Sequence, residues 1–284
     1  MDSTIARLPI IMSAELKQLK KWQKVALKGK DPEGVHQLRV SLRRIRTALS
    51  IFKPLIRPRF YQRQSKQLQF FAKTLDKARD LDVVIHDQLL TEDEPFALKA
   101  WIMEQRQQAY NSVKRLLKGK PFNRYLRHTK KTLKKTKWLK KSALDEAVAV
   151  TNLAEQTLER RYQLIIEQIN HINLNDDTAL HQLRINGKKM RYASEFFSFL
   201  YQEESNRPFV SALKNLQTRL GDIHDSAVFS QIQHEVASTT ADKQQLTTLQ
   251  HRMETTRLNQ LQLKQALPAE LENFCQIPCP WHSP

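Results

Sequence analysis

Apolar residues recur at helical spacing along nearly the whole chain. In the helix predicted to begin near Pro32, they fall at i, i+4, i+7, i+11 and i+14 and project within one arc of a helical wheel. The members of this arc are Leu38, Leu42, Ile45, Leu49 and Phe52. No stretch alternates strictly between apolar and polar residues, as a half-buried strand would. The pattern predicts an all-α protein whose helices each bury one face.

Proline, glycine and short clusters of Asn, Asp or Glu mark where these helices are expected to break. Asp31 followed by Pro32 is typical of an N-cap with proline in the first turn, and Asp176 repeats the cap. The last residues, from about 268 to 284, are expected to form a tail. The predicted breaks lie near residues 29–32, 54–58, 92–95, 119–121, 173–177, 203–208 and 268.

The chain repeats itself with an offset of 145 residues, because the tetrapeptide His36–Arg39 returns unchanged as His181–Arg184. The matching stretch needs no gap. The same offset pairs Asp31 with Asp176, Arg46 with Arg191, Phe52 with Phe197, Leu75 with Leu220, Asp80 with Asp225 and Val83 with Val228. We therefore predict two four-helix units, residues 1–141 and 142–284, packed as a pair of bundles with pseudo-two-fold symmetry.

Each copy of the repeat places a histidine and a row of cations opposite its apolar face. At i, i+3, i+7 and i+10, the first copy has His36, Arg39, Arg43 and Arg46, and the second has His181, Arg184, Lys188 and Arg191. Arg44 and Lys189 project toward the flank of the same face. Residues 34–75 contain no Asp or Glu, and like charges three or four residues apart on a helix repel one another. This arrangement favours an external polyanion as the counter-charge.

A third helix, predicted over residues 122–141, repeats the geometry with Arg127, Lys131 and Lys134 on its polar face. Its counterpart in the second half begins near Ala269 and is acidic, so the positive field is expected to be lopsided. Over the whole chain, 47 Lys and Arg oppose 29 Asp and Glu, which gives a net charge of +18. A surplus of this size indicates a nucleic acid, an anionic lipid or a phosphate polymer as the partner.

Two sequence features narrow the class of ligand. The basic faces carry no regularly spaced Phe, Tyr or Trp on which bases would stack, and the sequence has no glycine-rich phosphate loop. Sequence-specific recognition of nucleic acid is therefore disfavoured. Nonspecific binding to nucleic acid stays open, because it needs only the positive charge.

The ends of the sequence give expectations about compartment and metals. The first residues lack the pattern of a signal peptide and no apolar run is long enough to span a bilayer, so a soluble cytoplasmic protein with no membrane partner is expected. The C-terminal segment is interpreted as a disordered end. The alternative is a metal site, for which Cys275, Cys279 and His282 offer three ligands. No metal or cofactor is predicted.

The repeated histidines and aspartates each allow more than one role. His36 and His181 are interpreted as phosphate contacts, with a structural role or metal ligation as alternatives. Asp80 and Asp225 have three possible roles. They lie at a helix start, they orient an arginine of the histidine helix, or they act as a metal ligand or general base in an enzyme. The structural roles are favoured, because a hydrolase would keep its acidic pairs and Asp82 has no acidic counterpart in the second copy.

The doubled motif resembles the conserved histidine α-helical domain (CHAD) family, over about residues 13–264. The resemblance is carried by the stretch from His36 to Arg46, by the downstream stretch Arg79–Val83, and by the second copy that begins at His181. It implies two four-helix bundles with pseudo-two-fold symmetry that bind inorganic polyphosphate through a basic surface. It also implies ligand contacts for His36, Arg39, Arg43, Arg46, His181, Arg184, Lys188 and Arg191.

The sequence thus predicts a non-enzymatic polyphosphate-binding module in the cytoplasm, with polyphosphate granules as the location that the resemblance implies. Other polyanions are further candidate partners. A nonspecific nucleic-acid-binding protein is the first alternative. A metal-dependent phosphohydrolase that uses His36, His181, Asp80 and Asp225 is the second.

Overall fold

The structure is a computed structural model that describes residues 4–86, 90–91, 93–141 and 150–282. It is helical throughout, as the sequence predicts, and the described residues contain no β-strand; their one pairing of that kind is an isolated bridge between Ile56 and Leu139. The helices are α1 Thr4–Lys28, α2 Glu33–Ile51, α3 Pro58–His86, α4 Phe96–Lys118, α5 Lys120–Leu133, α6 Val150–Asn170, α7 Asp177–Phe197, α8 Glu203–Ala237 and α9 Lys243–Gln276.

Local capping signals are confirmed where they were predicted. Gly29 ends α1 in the left-handed region with a φ of 69°, a conformation that glycine adopts without steric cost. The Asp31 carboxylate accepts the backbone N–H of Glu33 at 2.8 Å. Asp176 caps α7 by accepting the N–H groups of Thr178 and Ala179 at 2.8 and 3.1 Å. These bonds satisfy donors that a helix start leaves without an intrahelical partner.

Three predicted helix boundaries differ from the structure. The break predicted near residues 203–208 occurs just before that range, since α8 begins at Glu203 and contains Pro208. The break predicted at Pro268 is absent, since α9 continues to Gln276. Each proline removes one backbone hydrogen bond, but neighbouring apolar residues hold the helix in place by packing, since Phe209 and Leu267 are fully buried. The third predicted helix is shorter than expected, because α5 ends at Leu133.

Tertiary pairing ends the α5 region early. The Arg57 N–H donates to the Trp138 carbonyl and the Lys140 N–H donates to the Leu55 carbonyl, each at 3.0 Å. Trp138 itself is buried. Lys134, which was expected on the polar face of a continuing helix, therefore lies at the C-cap of α5 instead.

The chain divides into two compact units. Unit 1 comprises residues 1–82 and 105–154, and unit 2 comprises residues 83–104 and 155–284. Residues 142–149 lie outside the described residues, so the boundary predicted after residue 141 stays a prediction. Each unit contains one copy of the histidine helix, which is α2 in unit 1 and α7 in unit 2.

The core of unit 1 is built on the apolar face of α2. Leu38, Leu42, Ile45 and Leu49 have no exposed surface, which confirms the predicted arc. Gly34 lets α1 approach closely, because an added Cβ there would lie 2.6 Å from the backbone nitrogen of Ala26. Gly187 does not serve the same purpose in unit 2, since its nearest neighbour would be the Gln217 side chain at 3.7 Å.

The C-terminal segment is packed into unit 2, so the expectation of a frayed end is wrong. Trp281 packs edge-on against Phe209, with ring centroids 5.1 Å apart. Its indole N–H donates to the Glu159 carboxylate at 2.8 Å, and His282 Nε2 lies 2.6 Å from the same oxygen. Burial raises the pKa of the Cys279 thiol to about 11. The segment therefore closes an aromatic cluster.

Alanine at Gly34 should destabilise the fold by about 2 kcal/mol, because the new methyl group would force α1 away from α2. Gly221→Ala in α8 is the matched control, since an added Cβ there meets nothing within 4 Å, and it should stabilise by about 0.5–1 kcal/mol through helix propensity. Urea unfolding of both variants measures the difference. Equal stabilities would contradict the close approach at Gly34.

Alanine at Trp281 should lower the free energy of unfolding by about 3 kcal/mol, because it empties a buried aromatic site. Trp281→Phe keeps most of the packing and loses the hydrogen bond to Glu159, so its cost should be about 1 kcal/mol. Urea unfolding monitored by circular dichroism measures both values. An unchanged unfolding midpoint in Trp281→Ala would show that the segment does not support unit 2.

Candidate polyanion-binding surfaces

The net charge is divided very unequally between the two units. Unit 1 contains 33 Lys and Arg against 9 Asp and Glu, whereas unit 2 contains 14 against 20. Unit 1 therefore carries +24 and unit 2 carries −6 with histidine neutral. The lopsided field expected from the sequence is present, and long-range attraction of a polyanion must come from unit 1.

In unit 1, the burial of the apolar face of α2 leaves its cationic row on the outer side. Arg46 is exposed, and His36, Arg39 and Arg43 are half-buried. Arg39 forms an ion pair with Asp76 of α3. Arg43 and Arg46 form no ion pair with a carboxylate in the described part of the chain. The outer end of the row is thus available to an external anion.

Arg44 has a different environment from its neighbours. Its Nε lies 2.8 Å from a carboxylate oxygen of Glu15, and Glu15 is largely buried on α1. An ion pair at a partly buried site neutralises its own charge and is less screened by salt than an exposed pair. Arg44 therefore turns toward α1, which agrees with its predicted position on the flank of the row.

His36 is held in the uncharged state more strongly than a free histidine. Burial lowers the pKa of His36, and the positive charge of Arg79 on α3 lowers it further, with smaller effects of the same sign from Arg43 and Arg39. Glu33 opposes these effects. Burial is thus the main cause of the lowered pKa, and the three arginines add to it because they surround the imidazole with positive charge. A bound anion would oppose that field and favour the imidazolium form.

The helix α5 carries a second basic surface in unit 1. Its buried face consists of Phe122, Tyr125, Thr129 and Leu133, and Phe71 of α3 packs edge-on against the first two rings at 5.2 and 5.3 Å. Arg127 and Lys131 lie on the exposed side, and Lys134 is exposed at the helix end. The sequence from 105 to 141 contains fourteen Lys and Arg and no acidic residue.

In unit 2, more of the predicted row is already occupied by contacts within the chain. Arg184 lies 3.7 Å from Asp225 on α8, which repeats the pairing of Arg39 with the following helix. Arg191 donates to Glu195 at 2.5 Å and to Gln217 at 3.0 Å. Lys189 donates to Asn186 at 3.1 Å. Lys188 is half-buried and His181 is exposed.

A second histidine lies against His181. The Nδ1 atoms of His181 and His224 are 3.3 Å apart, and the ring centroids are 4.8 Å apart. His224 stands 145 residues after Arg79, the cation that acts on His36. The predicted site residues included neither Arg79 nor His224. The sequence signal was present, because both positions follow the repeat offset and both side chains are basic.

The acidic residues that follow the histidine helices in the sequence lie inside long helices. Asp80 lies within α3 and Asp225 within α8, so a helix-start role is wrong for both. Asp225 contacts Arg184, as one of the predicted roles required. Asp82 is fully buried and accepts hydrogen bonds from Arg106 at 2.8 Å and from Tyr110 at 2.7 Å.

One cleft of about 700 Å³ lies between α8 and α9 in unit 2. Its lining mixes both signs of charge, since it includes Arg219 and Arg252 beside Asp222 and Asp225. Arg219 pairs with Glu270 at 2.8 Å and Arg252 pairs with Glu94 at 2.6 Å. A cleft with paired and mixed charges does not match an extended polyanion, so the basic faces of α2 and α5 are the stronger candidates.

Within the described ranges, no three side chains of His, Cys, Asp or Glu converge closely enough to hold a metal ion. The statement covers the two sets of residues that the sequence offered as metal ligands, which are Cys275, Cys279 and His282 in the C-terminal segment, and His36, His181, Asp80 and Asp225 in the repeats. No helix in the part of the chain that the structure describes is long and apolar enough to cross a lipid bilayer.

The fold and sequence match known proteins. The model of the CHAD domain family matches residues 10–234. The crystal structure of the CHAD domain from the plant Ricinus communis has a TM-score of 0.83 and 22% identity, and covers 98% of this chain and 93% of its own. PptA from Streptomyces chartreusis has a TM-score of 0.69 and 16% identity, and the match covers 97% of this chain and 99% of the PptA chain. No curated protein matches the chain. Since the family model spans most of the sequence, the chain belongs to the CHAD domain family.

Proposed function

We propose that this protein binds inorganic polyphosphate without cleaving it, and that unit 1 provides most of the binding energy. The observation that carries the proposal is the outer end of the α2 row. There Arg43 and Arg46 lie opposite a fully buried apolar face and form no ion pair with a carboxylate among the described residues. Arginine is suited to such a ligand because its planar guanidinium binds phosphate oxygens with two hydrogen bonds.

The binding would be electrostatic in origin. Side chains on one face of a helix recur about every 5 Å along its axis, so successive cations of α2 and α5 can neutralise successive phosphates of a flexible chain. Each phosphate that is neutralised releases condensed counterions, which makes the affinity fall steeply with salt. The net charge of +24 on unit 1 would also raise the association rate.

The choice of polyphosphate over nucleic acid rests on the surroundings of the cations. Phe122 and Tyr125, the Phe and Tyr residues of α5, are buried in the core of unit 1 and cannot stack on bases. Single-strand nucleic-acid binders gain about 1–3 kcal/mol for each stacked base. A ligand without bases loses nothing at such a surface, and the CHAD resemblance implies the same ligand.

Further parts of the proposal follow from the sequence and from the CHAD resemblance. The protein would act as a module for binding or targeting, located at polyphosphate granules, with no catalytic role. The two histidine helices would belong to two four-helix bundles with pseudo-two-fold symmetry. The internal repeat supports that symmetry, and so does the matching order of a capped histidine helix followed by a long helix, α3 or α8.

Reversing two charges at the outer end of α2 should weaken binding strongly. We expect Arg43→Glu combined with Arg46→Glu to lower the affinity for long-chain polyphosphate by roughly 100-fold at low salt. The slope of log affinity against log salt should become shallower by about two, because two phosphate contacts are lost. Fluorescence anisotropy with labelled polyphosphate across a salt series measures both quantities. Arg39 and Arg184 are less suitable, since reversal there would also set two carboxylates against each other.

The control is Arg207→Glu combined with Lys243→Glu, two exposed cations of unit 2 outside the predicted rows. It changes the net charge by the same amount, so a nonspecific effect of net charge would weaken both proteins equally. Equal losses, with circular dichroism spectra unchanged, would rule out α2 as the binding surface.

Competition with RNA should separate the proposed ligand from nucleic acid. At matched phosphate concentration, polyphosphate should displace labelled polyphosphate at least about tenfold more effectively than single-stranded RNA does, because no stacking contributes. Orthophosphate release is followed in the same samples, with and without added magnesium. Equal competition would favour the nucleic-acid alternative, and metal-dependent release of orthophosphate would make the protein a phosphohydrolase.

A further inference from the structure

We infer that His181 and His224 form a proton-linked anion contact in unit 2, which gains positive charge as it binds. The corresponding position in unit 1 carries the permanent charge of Arg79. The inference rests on the proposed function and deepens it, because it assigns a ligand contact to His224 and makes the basic surface of unit 2 respond to pH differently from that of unit 1.

The imidazole rings of His181 and His224 lie within hydrogen-bonding distance of each other. The two Nδ1 atoms are 3.3 Å apart and the rings are 4.8 Å apart between centroids. At this separation the two Nδ1 atoms cannot both carry a hydrogen that points at the other ring, so one of them must act as the acceptor. The pair therefore shares one proton readily, and a second proton has to overcome the charge of the first.

The charged groups around the pair come from three helices. On α7, Asp177 lies one turn before His181 and Arg184 lies one turn after it. On α8, Asp225 follows His224 directly and lies 3.7 Å from Arg184. On α9, Lys264 donates to Asp177 at 2.7 Å. Asp177 and Asp225 thus each have a cationic neighbour, and a bound anion would add negative charge beside the imidazoles.

An anion changes the balance of protonation. A phosphate chain next to two imidazoles offsets their mutual repulsion and favours the doubly protonated pair. Binding and proton uptake then become linked, and each strengthens the other. This linkage matters in unit 2 because its net charge is −6 with histidine neutral, so each proton that the histidines take up adds positive charge to a unit that otherwise has a surplus of acids.

Arg79 and His224 occupy equivalent positions of the internal repeat, 145 residues apart. The charge of Arg79 lowers the pKa of His36, whereas His224 lies in direct contact with His181. An arginine stays charged at every relevant pH, whereas a histidine pair titrates near neutrality. Unit 1 thus has one titrating group at this place and unit 2 has two.

The test exchanges the two residues. Binding of labelled long-chain polyphosphate is measured at fixed salt between about pH 5.5 and 8, where histidine titrates. In His224→Arg, the slope of log affinity against pH should become shallower by about one, because one linked proton is lost. In Arg79→His, the slope should become steeper by about one for the converse reason. His251→Arg, at an exposed position of α9, should leave the slope unchanged.

A second variant keeps the test valid if arginine disturbs the packing of α8. His224→Gln is close in size and cannot gain a proton, so it should give the shallower slope together with weaker binding at acid pH. Circular dichroism confirms folding for each protein. Wild-type binding with the same slope in His224→Arg and His224→Gln would overturn the inference and leave the proposed function intact. Failure of the wild type to bind at any pH at low salt would overturn the proposed function itself.

Discussion

The close packing of α2 against α1 is the constraint on which the rest of unit 1 depends. Because Leu38, Leu42 and Ile45 have no exposed surface, the orientation of α2 about its own axis is fixed. Gly34 allows the short distance between the two backbones. Once the apolar face is buried, the cationic row lies on the opposite side of the helix. The outward position of the cationic row is therefore a consequence of burial as much as of its own charge.

The same fixed orientation sorts the cations by environment. A row that looks uniform in the sequence contains Arg39 paired with Asp76, Arg44 paired with Glu15, and Arg43 and Arg46 without such a pair in the described part of the chain. The paired arginines tie α2 to its neighbours, whereas the outer ones raise the local potential. The result is a rigid helix that presents its unpaired charges on one side.

The two copies of the repeat differ in their chemistry. Arg46 is exposed in unit 1, whereas Arg191, at the same place in the repeat, donates to Glu195 and Gln217. The net charge is +24 in unit 1 and −6 in unit 2. The fold is thus repeated, while the strength and the pH response of the two basic surfaces need not be. In this chain, the repeated histidine helix thus has a different electrostatic environment in each of its two copies.

What the sequence by itself determined is the set of features that depend on neighbours along the chain. The amphipathic period of α2, the caps at Asp31 and Asp176, the break at Gly29 and the unequal charge all follow from local spacing and composition. The repeat also placed His36 and His181 correctly at the start of matching helices.

Only the tertiary structure decided the features that depend on residues distant in the chain. Helix α9 continues through Pro268, and Trp281, beyond the end of that helix, packs on Phe209. Buried contacts of this kind outweigh a local breaking signal. The pairing of Arg44 with Glu15 and the contact of His181 with His224 join residues 29 and 43 positions apart. Periodicity gives the face of a helix on which a side chain lies, but not which side chain of another helix will meet it. Packing decided that, and with it which cations stay available to a ligand.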